Sequence, residues 1–331
     1  MKFYARRIGF YAFTLWAAIS LNFLLPRLMP GNPADIMIAK MQRAGGEVSE
    51  TTIRNIRLLL GGDDSSLWEQ YLDYWGRIFT GDLGTSVTDF PKPVVELIAE
   101  ALPWTLILVG LSTLISFVLG IILGAWAGWK RGTWVDHVIP ATTVLQSIPY
   151  FWLALILVAV FAVGLGWFPI FGGYDVFDFP YGPEPTWAFF TDALSHAVLP
   201  ALTIVISSVG GWMFGMRNMM VSTLAEDYVL TAEAKGLRPR RILTAYAARN
   251  AAIPSIAGFS ITLGFVVAGA IVMEQVFTYP GIGKLMFQAV TANDYALMQG
   301  LFLVITVTVL AANFLMDLVY GFIDPRARQN V

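Results

Sequence analysis

The sequence predicts an all-α polytopic membrane protein, and three observations carry that prediction. Of the 331 residues, 56% are apolar and only 13% are charged, about half the charged share of an average soluble domain. Six uncharged runs are each long enough to cross a bilayer. Lys and Arg gather in alternate loops between those runs, as they do where cytoplasmic loops retain positive charge.

A crossing helix needs about 20 largely apolar residues, because each adds about 1.5 Å and the hydrocarbon core is about 30 Å thick. The qualifying runs extend from Ile8 to Leu25, Trp104 to Trp129, Val138 to Phe171, Ala193 to Met216, Asn250 to Met273 and Tyr295 to Met316. The first follows Lys2, Arg6 and Arg7 and has the look of a signal peptide. However, Pro26, Arg27, Leu28, Met29 and Pro30 stand where a small-x-small cleavage site belongs, so a retained helix is expected. The third run has 34 residues, short of the roughly 40 that two full spans need. Pro140 and Pro149 near its start and Gly164, Gly166 and Pro169 near its end favour one span with an apolar lead-in.

Orientation follows from the loops. Lys130 and Arg131 lie between spans two and three, and Arg217, Lys235, Arg238, Arg240, Arg241 and Arg249 between four and five. Arg326 and Arg328 end the chain, whereas the segment between spans three and four carries Asp175, Asp178, Glu184 and Asp192 with no Lys or Arg, and that between five and six has only Lys284. Both termini are therefore expected in the cytosol of a cell whose inner or plasma membrane holds the chain. The segment from Pro26 to Pro103 carries seven basic residues on the outer side, but segments beyond about 60 residues translocate largely regardless of charge. The expected organisation is a first membrane helix (1–28), an extracytoplasmic insertion (29–103) and a core (104–331) that includes a cytoplasmic coupling segment (222–249). Leu67, Tyr71, Leu72, Trp75, Ile78 and Phe79 recur at helical spacing within the insertion. They predict an aromatic amphipathic helix, either capping the membrane interface or docking an external protein.

Composition also excludes functions. Twenty-one basic against 23 acidic residues leave no net positive surface for nucleic acid. Without cysteine there is no disulfide, thiolate metal site or cysteine nucleophile. His137 and His196 fall on opposite membrane sides in this topology and cannot share a metal. No clustered nucleophile is present, so no catalytic residue is assigned. Gly283-Lys284 is followed by Leu285, and Thr278 occupies the first glycine position of a phosphate loop, so nucleotide must bind elsewhere.

The stretch Glu226 to Arg241 between spans four and five reads as two short helices at an angle. Ser222 or Thr223 is expected to cap the first, Glu226 and Asp227 suit its positive end, and Lys235 its negative end. Gly236 is expected in the left-handed region that closes a helix, and Pro239 in the first turn of the next. A plain retention loop needs only the charge of Arg238, Arg240 and Arg241. The added Gly, Pro and capping residues specify a shape, as a docking surface requires.

Here the chain resembles the permease subunits of dipeptide, oligopeptide and nickel ABC importers. Asp227-Tyr-Val-Leu-Thr-Ala-Glu-Ala-Lys-Gly-Leu237 followed by Arg249-Asn-Ala-Ala-Ile-Pro254 looks like their cytoplasmic coupling segment. Leu28-Met-Pro-Gly-Asn-Pro33, Gly81-Asp-Leu-Gly-Thr-Ser86, Glu274-Gln-Val-Phe-Thr-Tyr-Pro-Gly-Ile-Gly283, Asp294-Tyr295 and Asp324-Pro-Arg326 fall in the family's order. Asn32 stands where the family more usually has Asp, and Gly61-Gly-Asp-Asp64 departs from its Gly-Leu-Asp.

The resemblance implies a type I ABC importer permease fold of six transmembrane helices. It implies a second, related permease, two ATPase subunits that are separate, fused or identical, and an extracytoplasmic solute-binding protein. ATP and Mg would then sit on the partner subunits and no cofactor on this chain. The resemblance assigns ATPase coupling to Asp227, Tyr228, Thr231, Ala232, Glu233, Ala234, Lys235, Gly236, Leu237, Arg240 and Arg241. Gly236 would permit the sharp turn, and Ala232 and Ala234 a close approach. Dipeptides, oligopeptides, oligosaccharides and nickel-type solutes are the cargo classes it leaves open. The aromatic, acidic stretch Tyr174 to Glu184 keeps sugars among them, because aromatic faces stack on sugar rings.

Within the membrane, Gly120, Gly124 and Gly128 recur every four residues, so one face of span two is expected to pack closely on a neighbour. Ser260, Thr262 and Gly264 give span five a small, mildly polar face suited to a translocation route, and Glu274 is added as a pathway residue at its end. The alternative reading, an ion-coupled secondary transporter, calls for mid-span carboxylates, which the span centres lack.

Overall fold

The computed structural model describes residues 2–28, 33–43, 49–54, 66–264, 266 and 271–323; the regular structure among them is helical, with irregular connections, the longest at 165–186, and one isolated β-bridge between Thr85 and Pro93. Helix α1 spans Lys2–Leu28, α2 Pro33–Arg43, α3 Leu67–Thr80 and α4 Val94–Trp129. Then come α5 (Trp134–Ser147), α6 (Tyr150–Leu157, continued by a π-helical turn Val158–Gly164) and α7 (Trp187–Leu224). Helix α8 covers Asp227–Ala234, and α9 opens at Pro239–Arg241, passes through a π-helical stretch Ile242–Ala248 and closes at Arg249–Ala251. The chain continues through α10 (Ile253–Gly264), α11 (Ile271–Val276), α12 (Ile282–Thr291) and α13 (Tyr295–Ile323). The motif residues Met29 to Asn32 and Asp324 to Arg326 lie outside the described residues.

Four helices among the described residues are long and apolar enough to cross a membrane: those at Arg7–Leu24, Val94–Trp129, Trp187–Leu224 and Tyr295–Phe314. The third and fifth predicted runs hold shorter apolar helices, Tyr150–Gly164 and Ile253–Leu263. The third is divided at Pro149, which is the N-cap of α6. Proline disfavours helical backbone at the residue before it, here Ile148, and α5 ends one residue earlier at Ser147.

The α4–α7 pair is the centre of the fold, and glycine makes it possible. A Cβ on Gly120 would lie 2.3 Å from Cβ of Trp212, one on Gly124 2.4 Å from the Met213 carbonyl oxygen, and one on Gly128 2.5 Å from Cβ of Met220. The four-residue glycine spacing thus brings the two helices into backbone contact, the close packing expected of span two.

Two polar joints hold the end of the molecule where α4 begins. Asp294 caps α13, its Oδ1 accepting the Leu297 amide at 3.1 Å, while its Oδ2 accepts Ser86 Oγ at 2.5 Å and the Thr88 amide at 2.8 Å. The motifs Gly81–Ser86 and Asp294-Tyr295, far apart in sequence, therefore meet. Around them Val94, Leu97, Ile98 and Ala101 of α4 bury against Ile282, Leu285 and Met286 of α12 and Leu297 and Leu301 of α13.

The second joint is Glu274, which is fully buried. Its carboxylate accepts Thr105 Oγ1 at 2.7 Å and the amides of Gly283 and Lys284 at 2.7 and 3.1 Å, and Thr105 Oγ1 in turn accepts the Ile282 amide at 2.8 Å. These amides belong to the first turn of α12, where a helix has unpaired donors and favours negative charge.

Candidate coupling site

The sequence-predicted knuckle is α8, the turn through Gly236, and the start of α9. Leu224 ends α7, Ala225 caps it, and Glu226 in extended conformation becomes the N-cap of α8 without a side-chain hydrogen bond. Ser222 and Thr223, expected as caps, instead lie within α7. Ser222 Oγ bonds back to the Asn218 carbonyl at 3.3 Å and Thr223 is buried. The reason is that α7 runs to Leu224, about two turns beyond the end of the apolar run at Met216.

The turn follows the expected chemistry. Gly236 has φ of +71°, its amide donates to the Glu233 carbonyl at 2.8 Å, and the Leu237 amide donates to Ala232 at 3.3 Å. These bonds satisfy carbonyls left open at the helix end. Arg238 is extended and Pro239 occupies the first turn of α9.

Burial divides the knuckle into two faces. Val229, Ala232 and Ile242 pack on each other and against Trp129, Leu224, Leu237 and Tyr246, which braces the knuckle on the ends of α4 and α7. Asp227, Tyr228, Leu230, Thr231, Glu233, Ala234, Lys235, Gly236, Arg240 and Arg241 are exposed. Ala232 therefore faces the inner brace, whereas Ala234 is exposed. Among the described residues, no ion pair ties down Asp227, Glu233, Lys235, Arg240 or Arg241.

Two features escaped the sequence. Val229 and Ala232, three apart, are a local apolar pair whose spacing could have marked the brace. The other is the fork of Arg217 on Asp136, Nε to Oδ1 at 2.9 Å and Nη2 to Oδ2 at 3.1 Å, which ties α7 to α5 beside the knuckle. It joins residues 81 apart, and no local pattern announces it. The Arg217 guanidinium, with the Gly132 amide, holds the Asp136 carboxyl below the usual carboxylate range.

Ser260, Thr262 and Gly264 lie on α10 and Glu274 on α11. Thr262 Oγ1 bonds to the Gly258 carbonyl of its own helix at 3.1 Å, and Gly264 is the last residue of α10. The Ser260 side chain lies outside the described residues. Glu274, expected as a pathway residue, is fully buried at the head of α12 with both its oxygens engaged within the protein. The two histidines bond locally, His137 Nδ1 with the Thr133 carbonyl and His196 Nδ1 with that of Asp192. Of the outer aromatic stretch, Tyr174 stacks on Trp104 inside a cluster with Phe189 and Tyr279, whereas Phe177 and Tyr181 are exposed.

Comparison with known proteins places the chain in a family. Residues 120–329, which include the glycine ladder and the knuckle, match the family described as binding-protein-dependent transport system inner membrane component. The chain is 34% identical to the di/tripeptide transport system permease protein DppB of Pseudomonas aeruginosa over 99% of each chain. It is 31% identical to the dipeptide transport system permease protein DppB of Escherichia coli K12 over 99% of each. It is also 31% identical to the oligopeptide transport system permease protein AppB of Bacillus subtilis over 92% of each. A family match over most of the chain and relatives aligned along nearly its whole length lead to one conclusion: the chain belongs to the binding-protein-dependent transport system inner membrane components, the permease subunits of ABC transporters.

Proposed function

We propose that this permease imports short peptides, driven through the α8–α9 knuckle by separate ATP-hydrolysing subunits. The observation that carries the reading is the division of the knuckle: one face braced on α4 and α7, the other exposed and bearing unpaired charge. A surface of that kind transmits a push, because a displacement of α8 must move the helices it is packed on. Peptide cargo is favoured by the names of the relatives, all of which are peptide transport permeases.

In this reading the chain crosses the membrane six times with both termini and the knuckle in the cytosol. It pairs with a second, related permease, and each of the two knuckles sits in a cleft of one ATPase, where ATP and Mg bind. An extracytoplasmic binding protein delivers the peptide. Asp227, Tyr228, Thr231, Glu233, Ala234, Lys235, Gly236, Arg240 and Arg241 form the contact, and Leu237 helps to hold its shape. Reconstitution in vesicles with the ATPases, second permease and binding protein tests the reading. Uptake of a di- or tripeptide is expected to require ATP and all partners, whereas uptake that persists without the ATPases and collapses with an ionophore would refute it.

A further inference from the structure

Helix α3 has three distinct faces. At 100° per residue, Tyr71, Tyr74 and Ile78 form the first, Trp68, Leu72, Trp75 and Phe79 the second, and Glu69, Asp73, Gly76, Arg77 and Thr80 the third. Only the first is docked. The Tyr71 hydroxyl lies 2.7 Å from Ser20 Oγ, and the Tyr74 hydroxyl accepts from Asn22 Nδ2 at 3.1 Å. The Phe23 ring contacts both tyrosine rings, at centroid distances of 5.2 and 5.6 Å. Asn22 Nδ2 also donates to the Gln299 carbonyl at 2.8 Å, so α1, α3 and α13 are joined at one point.

The second face is apolar and open. Trp68, Leu72 and Phe79 are 65%, 52% and 80% exposed, and the Trp75 and Phe79 rings lie 5.8 Å apart. The third face is polar, and its helix begins in a capping box of Ser66 and Glu69. The apolar stripe continues a surface that already belongs to the bilayer. Ser20, the docking partner of Tyr71, is one turn from Trp16, and Phe13 and Trp16 are large exposed residues on the crossing helix α1.

We propose that the Trp68–Leu72–Trp75–Phe79 stripe lies in the headgroup–acyl boundary of the bilayer, with lipid as its occupant and the Glu69–Asp73–Arg77 face toward water. Three arguments select lipid over a protein partner: continuity with the exposed surface of α1, the Trp-rich composition typical of interfacial segments, and an abrupt switch to charged residues on the adjoining face. The depth is consistent. The α3 docking point neighbours Gly300, which is packed on Val94 at the start of α4, while the knuckle packs on Trp129 at its end. The 36 residues between correspond to about 54 Å, more than the roughly 30 Å of the hydrocarbon core, so α3 and the knuckle lie on opposite sides of it. Pinned there by two tyrosines, α3 fixes the insertion at a set height above the membrane. The proposal rests on the reading of α1 as a membrane span.

The absence of cysteine makes the test clean. Leu72→Cys and Phe79→Cys on the stripe, Asp73→Cys and Thr80→Cys on the polar face, and Phe13→Cys on α1 are spin-labelled in the full-length chain. Each is measured in phosphatidylethanolamine–phosphatidylglycerol vesicles with oxygen and a nickel chelate as collision partners. Stripe sites are expected to show an oxygen-to-chelate ratio several-fold above that of the polar-face sites and close to that of position 13. Stripe sites that collide with the chelate as freely as positions 73 and 80 would overturn the proposal. So would stripe sites shielded from both partners, because that outcome marks a protein neighbour. A lipid-exposed position 13 with a water-exposed stripe would sink this proposal alone, whereas a water-exposed position 13 would sink the spanning assignment of α1 with it. Should Leu72→Cys fail to insert, Phe79→Cys at the exposed end of the helix carries the comparison.

Discussion

Glu274 accepts the amide of Gly283 at 2.7 Å, closing a turn in which a Cβ on Gly281 would lie within 2.4 Å of the same carboxylate. The motif Glu274–Gly283 is thus one object: a buried acid, and glycines that leave room for it at the head of α12. Thr105 of α4 completes the joint, so one side chain fastens α11, α12 and α4 together.

Glu274→Ala is expected to be strongly destabilising. It leaves two backbone amides and a threonine hydroxyl without their acceptor in a buried site, a loss on the order of 3 kcal/mol or more. Glu274→Gln should be intermediate, since its amide oxygen can still accept from the α12 amides, but with its NH2 toward Thr105 the threonine hydroxyl proton loses the carboxylate oxygen that accepted it. Apparent melting temperatures in detergent should fall in the order wild type, Gln, Ala. Equal values for all three would show that the joint is dispensable.

The Asp136–Arg217 fork predicts a pH dependence. The folded-state pKa of Asp136 is held down, first by the Arg217 hydrogen bonds and then by the Gly132 amide. A carboxyl with a depressed pKa contributes stability that is fully present above its unfolded-state value, near 3.9, and is lost as pH falls through the folded value. Between neutral pH and about pH 5, Asp136→Asn should therefore melt below wild type by a constant margin. The gap should narrow as the pH drops below about 4. A margin that does not change with pH would place the stabilisation elsewhere.

The glycine ladder separates packing from propensity. Gly124→Ala puts a methyl 2.4 Å from the Met213 carbonyl oxygen and 2.8 Å from Cβ of Met216. The helices must separate, at a cost of about 1–3 kcal/mol, even though alanine is the better helix former. Gly9→Ala in α1 meets nothing within 4 Å and should be neutral or slightly stabilising. Thermal melting of the two variants side by side checks the contrast.

What could be read from the sequence was whatever the local chain encodes. Gly236 and Pro239 specify a turn through their own backbone preferences, and the four-residue glycine period needs no knowledge of its partner to predict close packing. The division of the third run at Pro149 was half legible: the proline was visible, but its effect as a break between α5 and α6 was not. Pairings across the chain were closed to this reading. Nothing near Glu274 points to Thr105, 169 residues away, and nothing near Asp136 points to Arg217. For the same reason the knuckle's location was evident while the packing of its inward face on Trp129 of α4 was not.

Gly236 bears most directly on function. Its φ of +71° lies where a β-branched residue is strained, yet a Cβ there would meet nothing within 4 Å. The penalty of Gly236→Val is therefore one of backbone conformation alone, about 1–2 kcal/mol. The site is exposed and a side chain there meets no neighbour, so membrane insertion and the fold of the spans should survive. What should change is the angle between α8 and α9 and, under the proposed function, the seating of the exposed face against the ATPase. Gly236→Val is expected to leave ATP hydrolysis by the assembled transporter measurable while peptide uptake per ATP drops severalfold. Gly236→Asn should restore most of that uptake, because asparagine tolerates the left-handed region. Equal uptake by the valine and wild-type proteins would show that the turn carries no force, and equal loss in both variants would point to the side chain rather than to the backbone.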